Sequence, residues 1–263
     1  IELNQFNQSL LIQPNLYLRI RPGKKKKVIK QLQDAEIVFA LLNDDCIQLY
    51  NQTKVDEILN ADEDVVIQDF NSQKTLDLLN ASIADSRLPL AVWDCCAASG
   101  GKSILFHDHF PNSQLTVSDV RETILINLEK RFKRAGIKNY DQFVADVSSP
   151  KFSFNKKFDV VICDAPCSGS GTWSRTPEQL VFFKKEKIEE YAKLQKKIAT
   201  NASKALNKDG YFLYITCSVF KKENEEVAEY IRDNSSLVLK SMQYLKGYDK
   251  KADTLFVALF SAL

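Results

Sequence analysis

Metal-binding residues are scarce in this chain. Of 263 residues only two are histidine, and none of the six cysteines (Cys46, Cys95, Cys96, Cys163, Cys167, Cys217) belongs to a CxxC pair. With only His107 and His109 and no CxxC pair, a cysteine–histidine metal cluster is not indicated. A chain this long needs no disulfide staples, and its thiols read as free ones from a reducing, cytoplasmic compartment. Long apolar runs are also missing. A membrane span needs ~20 residues, and the longest candidate, LFVALFSAL, is nine. There is no internal repeat and no low-complexity segment. The chain starts at Ile1 rather than Met, which reads as a piece of a longer protein.

The hydrophobic fraction, 44%, is enough for one large domain, or a large one with a small one beside it. Net charge is only +2, but it is unevenly spread. Residues 1–30 carry seven Lys/Arg (Arg19, Arg21, Lys24 to Lys27, Lys30) against Glu2, and residues 184–208 carry eight Lys against three Glu. Such clusters either suit a polyanion such as nucleic acid or form an ordinary solvated surface.

Residues 16–81 alternate short strand and helix signals (LYLRIRP, KKVIKQLQDAE, EIVFALL, CIQLY, DVVIQDF), so 1–80 reads as a small α+β domain. From Leu88 a regular strand–helix alternation begins, with strands at PLAVWD, QLTVSD, QFVAD, KFDVVICD and YFLYITCS. A long helical stretch spans 178–207, another helix starts at KENEE, and two strands, LVLKSMQYL and TLFVALFSAL, close the chain. This order predicts an α/β fold with a doubly wound, mainly parallel sheet over 81–263. Asp94, Asp119, Asp146, Asp164 and Cys217 each fall at or just past a strand end, where ligands sit in such sheets.

The turn after the first of these strands, CAASGGKS, brings Cys96, Ala97, Ala98, Ser99, Gly100, Gly101 and Lys102 to a helix N-terminus. It matches neither GxGxxG nor GxxxxGK[ST], so a dinucleotide or triphosphate loop is not indicated. Asp119, 18 residues past Gly101, is placed to accept ribose hydroxyls, and Asp146 to meet an adenine edge. Any one of these aspartates could be a helix cap. Together they describe a nucleoside cofactor without pyrophosphate, which S-adenosylmethionine fits best.

Two further motifs end buried strands in cysteine: DAPCSGSG (Asp164, Pro166, Cys167) and YITCS (Cys217), the latter followed by ENEE. With DCCAASGGKS they resemble the Sun/Fmu, RsmB-type family of RNA cytosine-5 methyltransferases. The likeness runs from Leu16 to Leu263 and includes VIQDFNSQ and KLQKKIATNASKAL. It implies a Rossmann-like class I methyltransferase domain, S-adenosylmethionine as cofactor, and ribosomal or transfer RNA as partner. It also implies Cys217 as nucleophile, Cys167 as the residue assisting elimination, and Asp164 as the cytosine-binding carboxylate. Carbon 5 of cytosine is a poor nucleophile until a thiolate adds at carbon 6, so covalent catalysis splits one hard step into two. A helix N-terminus at Lys221-Lys222 is expected to favour the Cys217 thiolate.

Cys46, Cys95 and Cys163 read as packing residues. Arg175 and Pro166 are expected at the substrate, and the basic 19–30 stretch is expected to grip RNA backbone. The sequence departs from the family's usual pattern at Ser99 (usually Pro), at Ile124 (usually Arg, with Arg121 as a substitute) and at Ser174-Arg175 (usually two Arg). No N-terminal helical RNA-binding domain is recognised. A monomer is expected. A catalytically silent RNA-binding relative is the alternative reading, with Ser99 and Ile124 as its support.

Overall fold

The structure is a computed structural model that describes residues 1–83 and 89–263. The pattern change expected at Leu88 lies outside the described residues. In chain order the elements are α1 (Leu3–Ser9), β1 (Leu16–Ile20), α2 (Lys25–Asp34), β2 (Phe39–Leu41), β3 (Cys46–Leu49), β4 (Val65–Ile67), α3 (Asp77–Ile83), β5 (Ala91–Asp94), α4 (Gly101–His109), β6 (Gln114–Asp119), α5 (Glu122–Ala135) and β7 (Tyr140–Val144). Next come β8 (Phe158–Asp164), α6 (Pro177–Phe182), α7 (Glu186–Ser203), β9 (Leu206–Thr216), α8 (Glu225–Asn234), β10 (Leu237–Leu245) and β11 (Leu255–Ala262).

Seven strands form one sheet in the order β10-β11-β9-β8-β5-β6-β7. The five from β9 to β7 are parallel, and β11 and β10 add antiparallel at one edge. Burial on both faces explains why the central strands are nearly continuous apolar runs. Along β8, Val160 and Ile162 enter one core and Val161 and Cys163 the other; along β9, Leu213 and Ile215 oppose Phe212 and Tyr214 in the same way. The chain leaves β5 toward β6 and β7, then crosses back to β8 and β9. Strand order therefore reverses between β5 and β8, and a ligand crevice opens at that point.

The smaller sheet, β2-β3-β1-β4, is antiparallel, and α2 packs Val28 and Leu32 against it. Its junction with the large sheet is tight. Val66, Leu76, Leu79 and Ile83 belong to the core of the large sheet, so α3 runs through the boundary expected at residue 80 and packs with the larger domain.

Two sequence expectations change here. The basic 19–30 stretch is largely neutralised inside the chain. Arg19, 2% exposed, reaches Asp108 at 2.5 Å, and Arg21 binds the same carboxylate at 2.7 Å. Lys24 and Lys27 flank the buried Asp64, and Lys25 meets Asp44. The acids that pair these bases are distant in sequence, so counting charges along the chain overstated what is free to hold RNA. The second change concerns the helix expected over 178–207. It breaks at Phe183, whose backbone is extended (ψ 134°), and α7 ends at Ser203 before β9 begins at Leu206. The break lets the Phe183 ring stack on Phe220, centroids 5.5 Å apart and planes 13° from parallel.

Candidate active site

Asp94, Asp119 and Asp164 are the final residues of β5, β6 and β8; Asp146 lies two past β7 and Cys217 one past β9. Parallel strands deliver all five to one rim. The turn after β5 is drawn tight by its backbone. The Ala97 amide donates to the Ser118 carbonyl at 2.9 Å, and the Ala98 amide to Asp119 Oδ2 at 3.0 Å. Gly100 caps α4 with φ +83°, and a Cβ there would meet the Phe132 ring at 2.7 Å. Glycine is needed at that position for both conformation and space. Ser99 is held by Arg131, whose Nη1 donates to its carbonyl and hydroxyl oxygens at 3.1 Å each. Those bonds fix a turn that lacks the family's proline.

A cavity of about 330 Å³ opens beside this turn. Cys96, Ala98, Asp119, Asp146, Asp164 and Pro166 line it, while Ala97, Ser99, Gly100, Gly101 and Lys102 shape the turn from outside its lining. Val120, Val147, Leu194 and Ile198 give it an apolar wall, and Arg121 stands at its side. These five come from loops and from α7; only Arg121 had a signal in sequence, as a neighbour of the ribose acid. Three carboxylates facing one guanidinium repel a pyrophosphate and attract a cation. The apolar wall suits a flat ring. The donor set therefore fits S-adenosylmethionine, which carries a sulfonium and an adenosine and no phosphate.

Lys102 does not point into this cavity. Its Nζ donates to Asp164 Oδ2 at 2.9 Å and to Ser72 Oγ at 3.0 Å. Burial works against its charge, but the Asp164 carboxylate outweighs this and holds Lys102 above the usual lysine range. The pair keeps a charged donor and a charged acceptor side by side in front of the cysteines. Asp94 lies behind, 1% exposed, accepting a hydrogen bond from Ser103 Oγ at 2.6 Å; burial pushes its carboxyl up to about 7.

The two cysteine loops meet beyond Asp164. Cys167 Sγ and Cys217 Sγ are 3.3 Å apart. The Cys167 thiol is raised well above its ordinary range by its hydrogen bond with Cys217 and then by burial, which favours its protonated form; either sulfur can donate in this contact. Backbone bonds fix the approach: Ala165 N–H to Ile215 O at 2.9 Å, and Gly171 N–H to Cys217 O at 2.8 Å. The hydroxyls of Ser168, Ser170 and Ser218 bridge the loops. Glu223, fully buried, accepts from the Ser168 amide at 2.8 Å and from Gln195 Nε2 at 3.2 Å, and burial raises its carboxyl above the ordinary range. Glu223 belongs to the ENEE motif, whose presence was visible in sequence while its role was not. Cys46 and Cys163 are buried among apolar residues, and Cys95, also buried, touches the cavity wall.

Two expected contacts lie elsewhere. Arg175 is paired with Asp69 and Asp253, each at 3.2 Å, and clasps the end of the small sheet to the loop before β11. Lys221-Lys222 start a short 3-10 turn, Lys221–Glu223, and α8 begins only at Glu225, so no α-helix N-terminus follows Cys217 directly.

Residues 83–255 match the protein family described as 16S rRNA methyltransferase RsmB/F. The chain belongs to this family. Among curated relatives, ribosomal RNA small subunit methyltransferase B of Xanthomonas campestris pv. campestris is 31% identical over 173 residues, covering 64% of this chain and 38% of that protein. Its counterpart in Photorhabdus laumondii is 29% identical over 177 residues, covering 66% and 40%. The chain thus spans about two fifths of the length of these relatives. Two solved structures share the RsmB/F member's fold over nearly its whole length. A methyltransferase homolog protein from Pyrococcus horikoshii superposes with TM-score 0.80 at 21% identity, covering 98% of this chain and 90% of that one. NSun6 from the same organism, crystallised with SFG, superposes with TM-score 0.84 at 15% identity, covering 99% and 94%.

Proposed function

We propose that this chain methylates carbon 5 of cytosine in RNA, with ribosomal RNA as the first substrate to test. The reading is carried by the two sulfurs 3.3 Å apart beside the Asp164–Lys102 pair. Neither packing nor a metal site accounts for two cysteines brought together from separate strand ends next to a charged carboxylate. The names of the relatives, ribosomal RNA small subunit methyltransferase B, support RNA as the substrate class.

S-adenosylmethionine, when bound, supplies an electrophilic methyl group. Asp119 is positioned to accept the ribose hydroxyls and Asp146 to meet the adenine edge, with Arg121 closing the side where Ile124 replaces the family's arginine. The target base enters beyond Asp164 and Pro166. Asp164 faces the N3–N4 edge of the ring, where it accepts from the N4 amino group, and its Lys102 partner, an ammonium 2.9 Å away, offsets the negative charge that builds toward N3 as a thiolate adds. The Cys217 sulfur forms a bond to carbon 6, which makes carbon 5 nucleophilic toward the methyl group. A water molecule takes the carbon 5 proton, the carbon 6–sulfur bond breaks with its electron pair on Cys217, and the ring double bond returns. Cys167 stands 3.3 Å from that leaving sulfur, and we assign it to donating a proton to the departing thiolate, which it recovers from solvent. A paired cytosine hides its faces, so the base must be unpaired or flipped out. In this reading residues 1–80 are an RNA-facing domain attached to the methyltransferase domain 81–263, and the protein is a cytoplasmic monomer.

The alternative, a silent RNA-binding relative, rested on Ser99 and Ile124. Arg131 secures the first turn, and Arg121 occupies the cavity side near the second. The deciding experiment incubates Cys167→Ala with S-adenosylmethionine and ribosomal RNA and looks for an RNA–protein adduct on a denaturing gel. An adduct lost in the Cys167→Ala/Cys217→Ala variant is the expected result. Its absence, with cofactor binding intact, would reject the covalent route.

A further inference from the structure

The last residues of α6 form an apolar surface that nothing in the reaction explains. Leu180, Val181 and Phe182 are 40%, 78% and 79% exposed in sequence succession. The surface is attached to both cysteine loops. At one end, Gln179 Oε1 comes so close to Gly169 that a Cβ there would lie 3.2 Å from it, and Gly169 is two residues past Cys167. At the other, Phe183 stacks on Phe220, three residues past Cys217, and packs on Trp173 at 4.8 Å. Trp173 Nε1 is buried with no acceptor among the described residues.

The charges around this patch favour one kind of occupant. Lys184, Lys185 and Lys221 are exposed and have no ion-pair partner among the described residues. Glu190 and Glu189 are already taken by Lys187 and Lys222. That leaves three unpaired lysines against Glu178 and Glu186. An exposed phenyl ring next to free lysines, on a segment tied to both cysteine loops, has the parts of a single-strand platform: an aromatic face for a base and cations for the adjoining phosphates. A protein partner or a second copy would use the apolar residues but has no need of the lysines.

We propose that Phe182, with Val181, stacks on a base flanking the target cytosine while Lys184 and Lys185 hold the adjoining phosphates. This rests on the reading of the chain as an RNA methyltransferase. The surface positions the strand at the cysteines, and it replaces the basic 19–30 stretch as the main grip next to the site.

The test measures binding of a fluorescein-labelled, mixed-sequence 12-nucleotide single-stranded RNA by anisotropy at several KCl concentrations. Phe182→Ala should weaken binding at least about fivefold with an unchanged salt slope, and Phe182→Trp should restore it. Lys184→Ala/Lys185→Ala should flatten the slope by about 1.4, two phosphates' worth for a single strand. Both changes are on the surface, and unchanged melting temperatures would exclude misfolding. Phe182→Ala binding within twofold of wild type overturns the proposal. Loss of self-association in Phe182→Ala during sedimentation, with RNA affinity unchanged, also overturns it in favour of a second copy. The Cys167→Ala adduct assay separates the two levels. An adduct that forms equally well with Phe182→Ala added removes the platform and leaves the methyltransferase reading standing, whereas no adduct in either protein, with no RNA binding by wild type, removes both.

Discussion

Cys167 Sγ lies 3.3 Å from Cys217 Sγ although fifty residues separate them in sequence. The contact is held from below by the pairing of β8 with β9 and from above by the Gly171–Cys217 backbone bond. Two thiols this close are poised for oxidation. Hydrogen peroxide should take one hydrogen from each sulfur, release water and leave a Cys167–Cys217 disulfide. Peptide mapping without reductant should find that bridge, with methyl transfer lost and then regained on adding dithiothreitol. Mapping that finds the thiols intact at millimolar peroxide would contradict the geometry.

Gly171 is required for steric reasons. A Cβ there would stand 1.9 Å from the Thr254 carbonyl oxygen and 3.0 Å from that of Cys217, and both are backbone atoms that cannot swing aside. Gly171→Ala should cost about 2 kcal/mol or more in urea unfolding, in the range of overpacked sites. It should also displace Cys217, so adduct formation in the Cys167→Ala background should fall further than cofactor affinity. Equal losses in both would mean the whole fold, rather than the cysteine loop, had absorbed the strain.

Asp94 makes a pH-dependent prediction. Its carboxyl is raised to about 7 by burial, against an ordinary value near 4, so the folded state holds the proton more tightly than the unfolded one. By linkage, this group's contribution to stability is greatest below pH 4 and is lost as pH rises toward 7. Asp94→Asn cannot ionise. Relative to wild type it should gain about 2–3 kcal/mol between pH 5 and pH 8, measured by urea titration at each pH. A constant difference would show that Asp94 is ionised throughout.

Arg175 should behave as a structural clasp. Burial raises the carboxyls of Asp69 and Asp253, the latter to about 7, and Arg175 is the cation that opposes this. Removing it leaves two buried carboxylates facing one another. Because Arg175 is 39% exposed, solvent moderates the effect. Arg175→Ala should lose about 1–2 kcal/mol at pH 8 and less at pH 5, where the carboxyls can protonate. The salt slope of RNA binding should not change. A slope reduced by about 0.7 would instead make Arg175 a phosphate contact.

Much of the molecule could be read from local pattern. The parallel sheet and the rim of aspartates emerged from short, nearly continuous apolar runs separated by helical stretches, because strands buried on both faces have that signature and parallel connection places their carboxyl ends together. The turn at 96–102 and the two cysteine motifs were visible because each is a short continuous stretch. The partners of charged groups were not visible. Arg19 and Arg21 looked free until Asp108 came beside them, Arg175 until Asp69 and Asp253 did, and Lys102 looked like a cofactor ligand until Asp164 accepted its N–H. The break at Phe183 escaped for the same reason, since helical spacing continues through it and only the rings of Phe220 and Trp173, distant in sequence, draw it out. Periodicity and motif are properties of neighbours along the chain and survive without a fold. Charge pairing, the approach of two sulfurs and the exposure of Phe182 depend on which distant segments meet, and the packing of the sheet decided those.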